Sequence, residues 1–428
     1  MKRRFLIFSG IALFVAVGIV AVRNFNAGSD AAAFDEQMRL ARREGIATTW
    51  QEVAARIPHA APAENAAPIY QGLMNRGLKS VDFEELETNL VFHPSPEVLT
   101  EATHTLASMK EDLQSIDRAA ALPRCWFNRD WSNGLAVWTP EAQTMKSAAK
   151  VVVLRGSLMA AEGRPDAAIQ DLHELARISS QCSEEGTKIA THASYAIYDV
   201  GLKRVEEWAF AHRTEPVYLR EAKAMLASWP KIDLQALHRT DMLEVIGVID
   251  LCRTREGRHE LGLKAEDVSP FDPVASVLLS QPKAKIKVVE ASRLIWESYG
   301  DPPSKRAVTM PKAKSELQSS LLAFPTVYQF YFGITQDDGA ADFMDQRFAS
   351  RELTHLGLLR ALEAREIPKT IKVSDLLSPV DGKPITYAFD GRQIKLTLTD
   401  PDPDSENKIQ LQIPTDAQLA GLKDPKAK

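Results

Sequence analysis

Ala148–Ile178 read AAKVVVLRGSLMAAEGRPDAAIQDLHELARI, and the expected fold follows from this stretch. Gly156, Met159, Ala168, Leu172 and Ala176 recur at helical spacing on either side of Glu162-Gly163-Arg164-Pro165. That period belongs to an amphipathic helix, and the glycine and proline break it once. The pattern predicts two helices folded back on each other. A lone hairpin cannot bury its own apolar face, so the flanking chain is expected to supply further helices.

Those helices are legible in both directions. Thr139-Pro140-Glu141 opens the first arm, and Ser95-Pro96-Glu97 opens a helix predicted to run to about Ala121. In each, a hydroxyl cap precedes a proline whose missing N–H costs nothing and an acid that suits the first turn. Thr49-Trp50-Gln51-Glu52 fits a capping box. Further helices are expected at Ala31–Glu44, stopped by Gly45, and at Glu64–Leu78, Gly186–Ala211, Glu215–Ser228 and Asp233–Glu256. Residues Gly257–Pro311 hold six prolines and one helical segment near Lys285–Tyr299, the composition of a loop-rich insertion or hinge. Helical patterning resumes at Lys312–Phe332 and Phe343–Arg365. Beyond that the period falls to two: Ile385–Phe389, then Ile394, Leu396 and Leu398, then Ile409, Leu411 and Ile413 alternate with polar residues. Alternation of this kind predicts a three-stranded antiparallel meander with one buried face, its first turn a two-residue Asp390-Gly391.

Phe5–Val22, FLIFSGIALFVAVGIVAV, carries no charge and is bounded by Lys2-Arg3-Arg4 and Arg23. As a helix it covers about 27 Å, close to a hydrocarbon core of about 30 Å. The basic residues on its N-terminal side place that end in the cytoplasm and the body outside. A cleaved signal peptide is the alternative, but no small-residue cleavage site follows until Ala31-Ala32-Ala33. The expected location is therefore the inner membrane, as a single-pass anchor with a periplasmic body. The fold class is mainly α: a transmembrane helix, an antiparallel helical-hairpin body and the C-terminal meander. The expected division is 1–29 as stub, anchor and linker, 30–256 as helical domain, 257–311 as insertion, and 312–428 as a helical pair plus meander.

The chain of 428 residues has a net charge of −5. Its first 30 residues carry +3, leaving −8 on the rest. An acidic body without a basic stripe excludes nucleic acid as a partner. Cys125, Cys182 and Cys252 lack metal-ligand spacing, and buried thiols or a single disulfide are both open. No cofactor or metal is expected.

Ala148–Ile178 also resembles a single tetratricopeptide unit, although no second copy follows at 34 residues. Four patches carry a wider resemblance: Asn65-Ala66-Ala67-Pro68-Ile69-Tyr70, Cys125-Trp126-Phe127-Asn128-Arg129-Asp130-Trp131, Leu158-Met159-Ala160-Ala161-Glu162-Gly163-Arg164, and Ser378-Pro379-Val380-Asp381-Gly382-Lys383-Pro384-Ile385-Thr386-Tyr387. In this order, behind an anchor, they resemble uncharacterised membrane-anchored helical bacterial proteins of the planctomycete type. The Asp-Gly-Lys-Pro segment is similar to the C-terminal end of pseudopilin-like proteins, but the processing site that precedes a pilin helix is missing. The resemblance implies no activity and assigns no catalytic residue.

Several motifs suggest chemistry. Glu101–His104, Glu256–His259 and Glu352–His355 have the spacing that builds di-iron sites in helical bundles, but solvated helix faces give the same pattern. Ser147 and Lys150 have serine–lysine spacing, without the Lys-Thr-Gly element that accompanies it. Asp400–Asp404 suggests a calcium loop but lacks its glycine and its bidentate glutamate. No residue is singled out as catalytic. The candidate binding residues are Trp126, Phe127, Arg129, Asp130, Trp131 and Trp138, an aromatic loop ahead of a long helix. Such a loop either stacks on a ligand or anchors a partner, or pins itself to the core. The function these features imply is a membrane-anchored scaffold or protein-interaction module. Its expected partners are the lipid bilayer, through residues 5–22, and a protein of the cell envelope. The alternative is an envelope hydrolase, directed at glycans or esters, whose carboxylates only the fold brings together, with Glu244 and Asp250 among the candidates.

Overall fold

The computed structural model describes residues 29–78, 83–92, 94–131, 134, 139–184, 186–211, 239–251 and 281–301, with shorter pieces between 220 and 229 and between 305 and 319. It also describes the backbone of three strands and, for a few helix residues, the backbone alone. The expected anchor at 5–22 lies outside the described residues. Among those described, no helix is long and apolar enough to cross a membrane. The described chain is mainly helical. Its helices are α1 (residues 29–43), α2 (Trp50–Arg56), α3 (Ala67–Asn75), α4 (Glu84–Phe92), α5 (Pro96–Ser108), α6 (Lys110–Ala121), α7 (Glu141–Ala161), α8 (Pro165–Ser183), α9 (Lys188–Ala211), α10 (Asp241–Leu251) and α11 (Gln281–Gly300).

Backbone packing separates two compact units. The first gathers Met1–Val53, Trp131–Ala136 and His238–Ala341; the second gathers Ala54–Asp130, Val137–Leu237 and Asp342–Lys428.

The second unit is built around α7, which α3, α4, α5, α6, α8 and α9 all contact. Val151, Val152, Val153 and Leu154 are consecutive and all buried. Four residues in a row cover every face of a helix, so α7 has no solvent side there. Tyr70 and Leu73 from α3, Leu90 from α4, Ile116 from α6, Leu172 and Leu175 from α8 and Ile197 from α9 complete the core. The hairpin turn closes at Gly163, whose φ of +74° suits glycine. Arg164 N–H donates to the Met159 carbonyl at 2.8 Å, and Pro165 starts α8 where its missing N–H is harmless.

The single helix expected from Ser95 to Ala121 is instead two. Ser95 caps α5 as predicted, accepting from Val98 N–H at 3.3 Å. At Met109 the backbone leaves the helix (φ −105°, ψ 16°). Ser108 Oγ, bonded to the Thr105 carbonyl at 2.6 Å, competes with the helix for that acceptor. The break lets α5 pack on α7 while α6 meets α3 and α8. Helix α3 is shorter than its predicted Glu64–Leu78 range because Pro62–Glu64 form a 3-10 turn. After that turn Ala66 N–H donates to Arg124 O, and Arg124 N–H donates to Glu64 O.

In the first unit α10 packs on α11, and Lys285 pairs with Asp250 at 2.6 Å. Arg293 ties α11 to Glu44 and, at 2.7 Å, to Gln37 on α1. The capping box at Thr49 forms in part. Thr49 Oγ1 accepts from Glu52 N–H at 3.2 Å, but the Glu52 carboxylate takes its hydrogen bonds from the backbone and hydroxyl of Thr48.

Strands β1 (Thr386–Phe389), β2 (Gln393–Thr397) and β3 (Lys408–Gln412) pair antiparallel in that order. Phe389 lies opposite Ile394, so four residues separate the paired ends. A two-residue Asp390-Gly391 turn would instead have set Phe389 against Arg392. The side chains of these strands, and the helices expected at Lys312–Phe332 and Phe343–Arg365, lie largely or wholly outside the described residues.

The tightest approach in the second unit is at Gly201, where an added Cβ would sit 2.5 Å from the Trp229 ring. Trp229 is itself buried and tilts against Tyr198 at 5.1 Å. Gly201→Ala is therefore expected to cost about 1–3 kcal/mol through overpacking, measured as a lower denaturant midpoint at unchanged slope.

Candidate functional site

The aromatic loop does not gather into one platform. Trp126, Phe127, Arg129 and Asp130 belong to the second unit and Trp131 to the first. Phe127 is buried in the core with Arg129 above its ring at 4.9 Å. The Arg129 guanidinium reaches the buried Glu141 at 3.0 Å. Trp131 is buried and stacks on Trp50 at 6.3 Å. Trp138 lies outside the described residues. Asp130 is exposed, and Trp126 is half-buried against His59 at 4.4 Å.

Trp126 is held from a distant part of the chain. Asn65 Nδ2 donates to the Trp126 carbonyl at 2.8 Å, and Asn65 Oδ1 accepts from Trp126 N–H at 2.8 Å. The same Oδ1 accepts from Ala67 N–H at 3.1 Å, which caps α3. Next to it, Cys125 N–H donates to Glu184 at 2.8 Å; burial raises the Glu184 carboxyl above its usual range, against the pull of that hydrogen bond and of Arg124. Two elements far apart in sequence thus fix one half-exposed indole with adjoining polar groups.

The strongest electrostatic feature is one that sequence reasoning did not mark. Arg155 of α7 donates from Nε and Nη2 to Asp171 of α8 at 3.0 and 2.7 Å, and from Nη2 to Glu174 at 2.9 Å. Its Nη1 donates to Asp117 of α6 at 2.7 Å. Burial raises the Asp171 carboxyl despite Arg155. Glu174 is pushed up to about 7, chiefly by burial and further by Asp117 and Asp171, with Arg155 opposing. The available signal was one arginine inside the run VVVLRGSLM, since a charge on an all-buried helix demands counter-charges.

Two further buried ion pairs join Arg129 with Glu141, and Arg204 of α9 with Glu87 of α4 at 2.5 Å. Tyr70, with its hydroxyl on Gln181 at 2.8 Å, is wholly buried, which pushes its ionisation well above the usual phenol range. Gln181 in turn donates to the carbonyls of Ala119 and Leu122 at 2.9 and 2.7 Å. Cys125 and Cys182 are buried thiols outside any disulfide; Cys252 lies outside the described residues.

The other motifs do not converge. Glu101 and His104 are both exposed. Ser147 Oγ donates to the Gln143 carbonyl of its own helix at 3.1 Å. Glu244 accepts from Thr240 at 2.6 Å and Asp250 pairs with Lys285. The remaining Glu-x-x-His pairs and Asp400–Asp404 lie outside the described residues. Among the described residues no group of three His, Cys, Asp or Glu could hold a metal ion.

No family model, curated protein or solved structure matches this chain.

Asn65→Ala removes three hydrogen bonds while leaving Trp126 in place. It is expected to destabilise the chain by roughly 2–4 kcal/mol and to red-shift the Trp126 emission, read against a Trp126→Phe control. Equal stability with unchanged emission would mean that Asn65 does not hold the indole.

Proposed function

We propose that the chain is a membrane-tethered helical scaffold of the cell envelope, exposed on the outer side and engaging a protein partner. The tether is supported by the 18 uncharged residues Phe5–Val22 and by the basic residues on their N-terminal side. The scaffold reading rests on one observation: the deep charges of the second unit join helix to helix. Arg155 links α7 to α6 and α8, Arg204 links α9 to α4, and Arg129 links the Trp126 loop to α7. Interlocking of this kind gives a rigid body suited to presenting a surface. The candidate surface is the Trp126 loop, where a clamped, half-exposed indole adjoins the exposed Asn128 and Asp130. Rigid aromatics beside polar groups are the usual anchors of protein contacts. The C-terminal strands are proposed as a small meander packed on the helix that precedes them.

For the rival reading, an envelope hydrolase, the carboxylates gathered together among the described residues are Asp117, Asp171 and Glu174. Arg155 lies among them and hydrogen-bonds to all three, and the Asp171 and Glu174 side chains are only 8% and 7% exposed. A substrate would first have to displace the guanidinium.

Two measurements test the proposal. A reporter that is active only outside the cytoplasm, fused after Lys428, is expected to be active; activity confined to the cytosol would overturn the tether. A photo-crosslinking residue at Asn128 is expected to give a discrete adduct in intact membranes. Trp126→Ala should remove that adduct, and a crosslinker at the exposed Lys110 should not produce it. Identical adducts from both positions would refute the Trp126 surface.

A further inference from the structure

We propose that Asp117, Asp171 and Glu174, gathered on the single guanidinium of Arg155, hold one removable proton, and that losing it detaches α6 from α7. The geometry carries the first half. Three carboxylates share one cation within hydrogen-bonding distance, and full ionisation would leave two uncompensated negative charges in a largely buried network. Glu174 Oε1 is buried and accepts no hydrogen bond. That arrangement costs a carboxylate more than a carboxylic acid, which can donate its proton to Asp117. Glu174 is the member that carries the proton, and burial together with its acidic neighbours raises it to about 7.

The groups that meet Glu174 come from several helices. Asp117 approaches from α6, Arg155 from α7 and Asp171 from its own α8. Tyr70 lies close enough on α3 for Glu174 to affect its ionisation. Helix α9 joins α8 further along, through Ser179 and Cys182.

The second half follows from exposure. When Glu174 ionises, its proton passes to bulk water and three anions compete for Arg155. Asp171 and Glu174 are enclosed, whereas the Asp117 side chain is 47% exposed. Asp117 alone can turn into solvent, where its charge is cheaply hydrated. The ion pair between α6 and α7 is then lost, while Gln181 still grips the C-terminal carbonyls of α6. The helix loosens without detaching from α8. The sign is fixed by linkage. The folded state holds this proton more tightly than an ordinary glutamate near 4.5, so its stabilising effect is full below that value and is lost as pH rises through about 7. Acidification therefore tightens the structure.

The test uses the full chain in lipid nanodiscs. Infrared difference spectra from about pH 5 to about pH 9 follow the protonated carboxyl band, while amide exchange, corrected for its intrinsic pH dependence, follows α6 against α9. One carboxyl band is expected to disappear near neutrality. In parallel, α6 exchange should rise about 3- to 10-fold with α9 unchanged. Glu174→Gln should abolish both changes. Asp117→Asn, at a half-exposed position that folding tolerates, should lower the midpoint and leave α6 exchange insensitive to pH. The proposal is overturned by a wild-type chain with no titrating band in that range, by a band that persists in Glu174→Gln, or by a titrating band with flat α6 exchange.

Discussion

Helix α7 is enclosed on every side along Val151–Leu154, yet the next residue is Arg155. A guanidinium at such a place cannot be left to water and cannot be neutralised from its own helix. The surrounding helices must return the opposite charge, so the requirement of one residue fixes how three helices meet. Asp171 and Glu174, at i and i+3, present both carboxylates from one face of α8, and Asp117 sets the rotation of α6. Hydrophobic burial supplies most of the stabilisation here, as in any core of this size. Burial decides which face of each helix turns inward, and a buried charge that must find its partner narrows the choice further.

Local signals were readable in the sequence and distant ones were not. The hairpin turn at Gly163, the Ser95 cap and the stop at Gly45 each depend on a few adjacent residues. The division at Met109 was missed because nothing between Ser95 and Ala121 is a strong helix breaker; the break follows from where α5 and α6 must pack. The Glu52 carboxylate was expected to reach its own cap residue, and it serves Thr48 because Arg42 lies on that side and pairs with it. The Asp390-Gly391 pair suggests a tight turn by composition, but strand register is set by pairing along the whole hairpin, and Phe389 meets Ile394.

The aromatic loop shows the same limit in a functional setting. A cluster of Trp, Phe and Arg can be read from sequence as a platform, but burial of its members depends on the fold. Phe127 turns into the core and Trp131 is buried against Trp50, which leaves Trp126 as the accessible indole among the described members of the loop. Its support, Asn65, stands 61 residues away. In the sequence nothing connects the two segments. In the fold they meet, and the Glu162-Gly163-Arg164 segment forms the hairpin turn. Three of the four conspicuous patches are thus places where the chain changes direction or is joined to a distant part of itself, a pattern that backbone geometry explains without any chemistry at the site.

The buried charges differ in one respect that bears on function. Arg129 with Glu141 and Arg204 with Glu87 each set a buried guanidinium against a buried carboxylate, and removing one partner of such a pair costs about 3–5 kcal/mol. The Arg155 network has three acids for one base, so its charge balance depends on a proton that water can take away. The surplus acid at the half-exposed edge is Asp117, on α6. Position in the bundle matters as well: α7, α8 and α9 pack closely on one another, whereas Asp117 is the half-exposed member of the network.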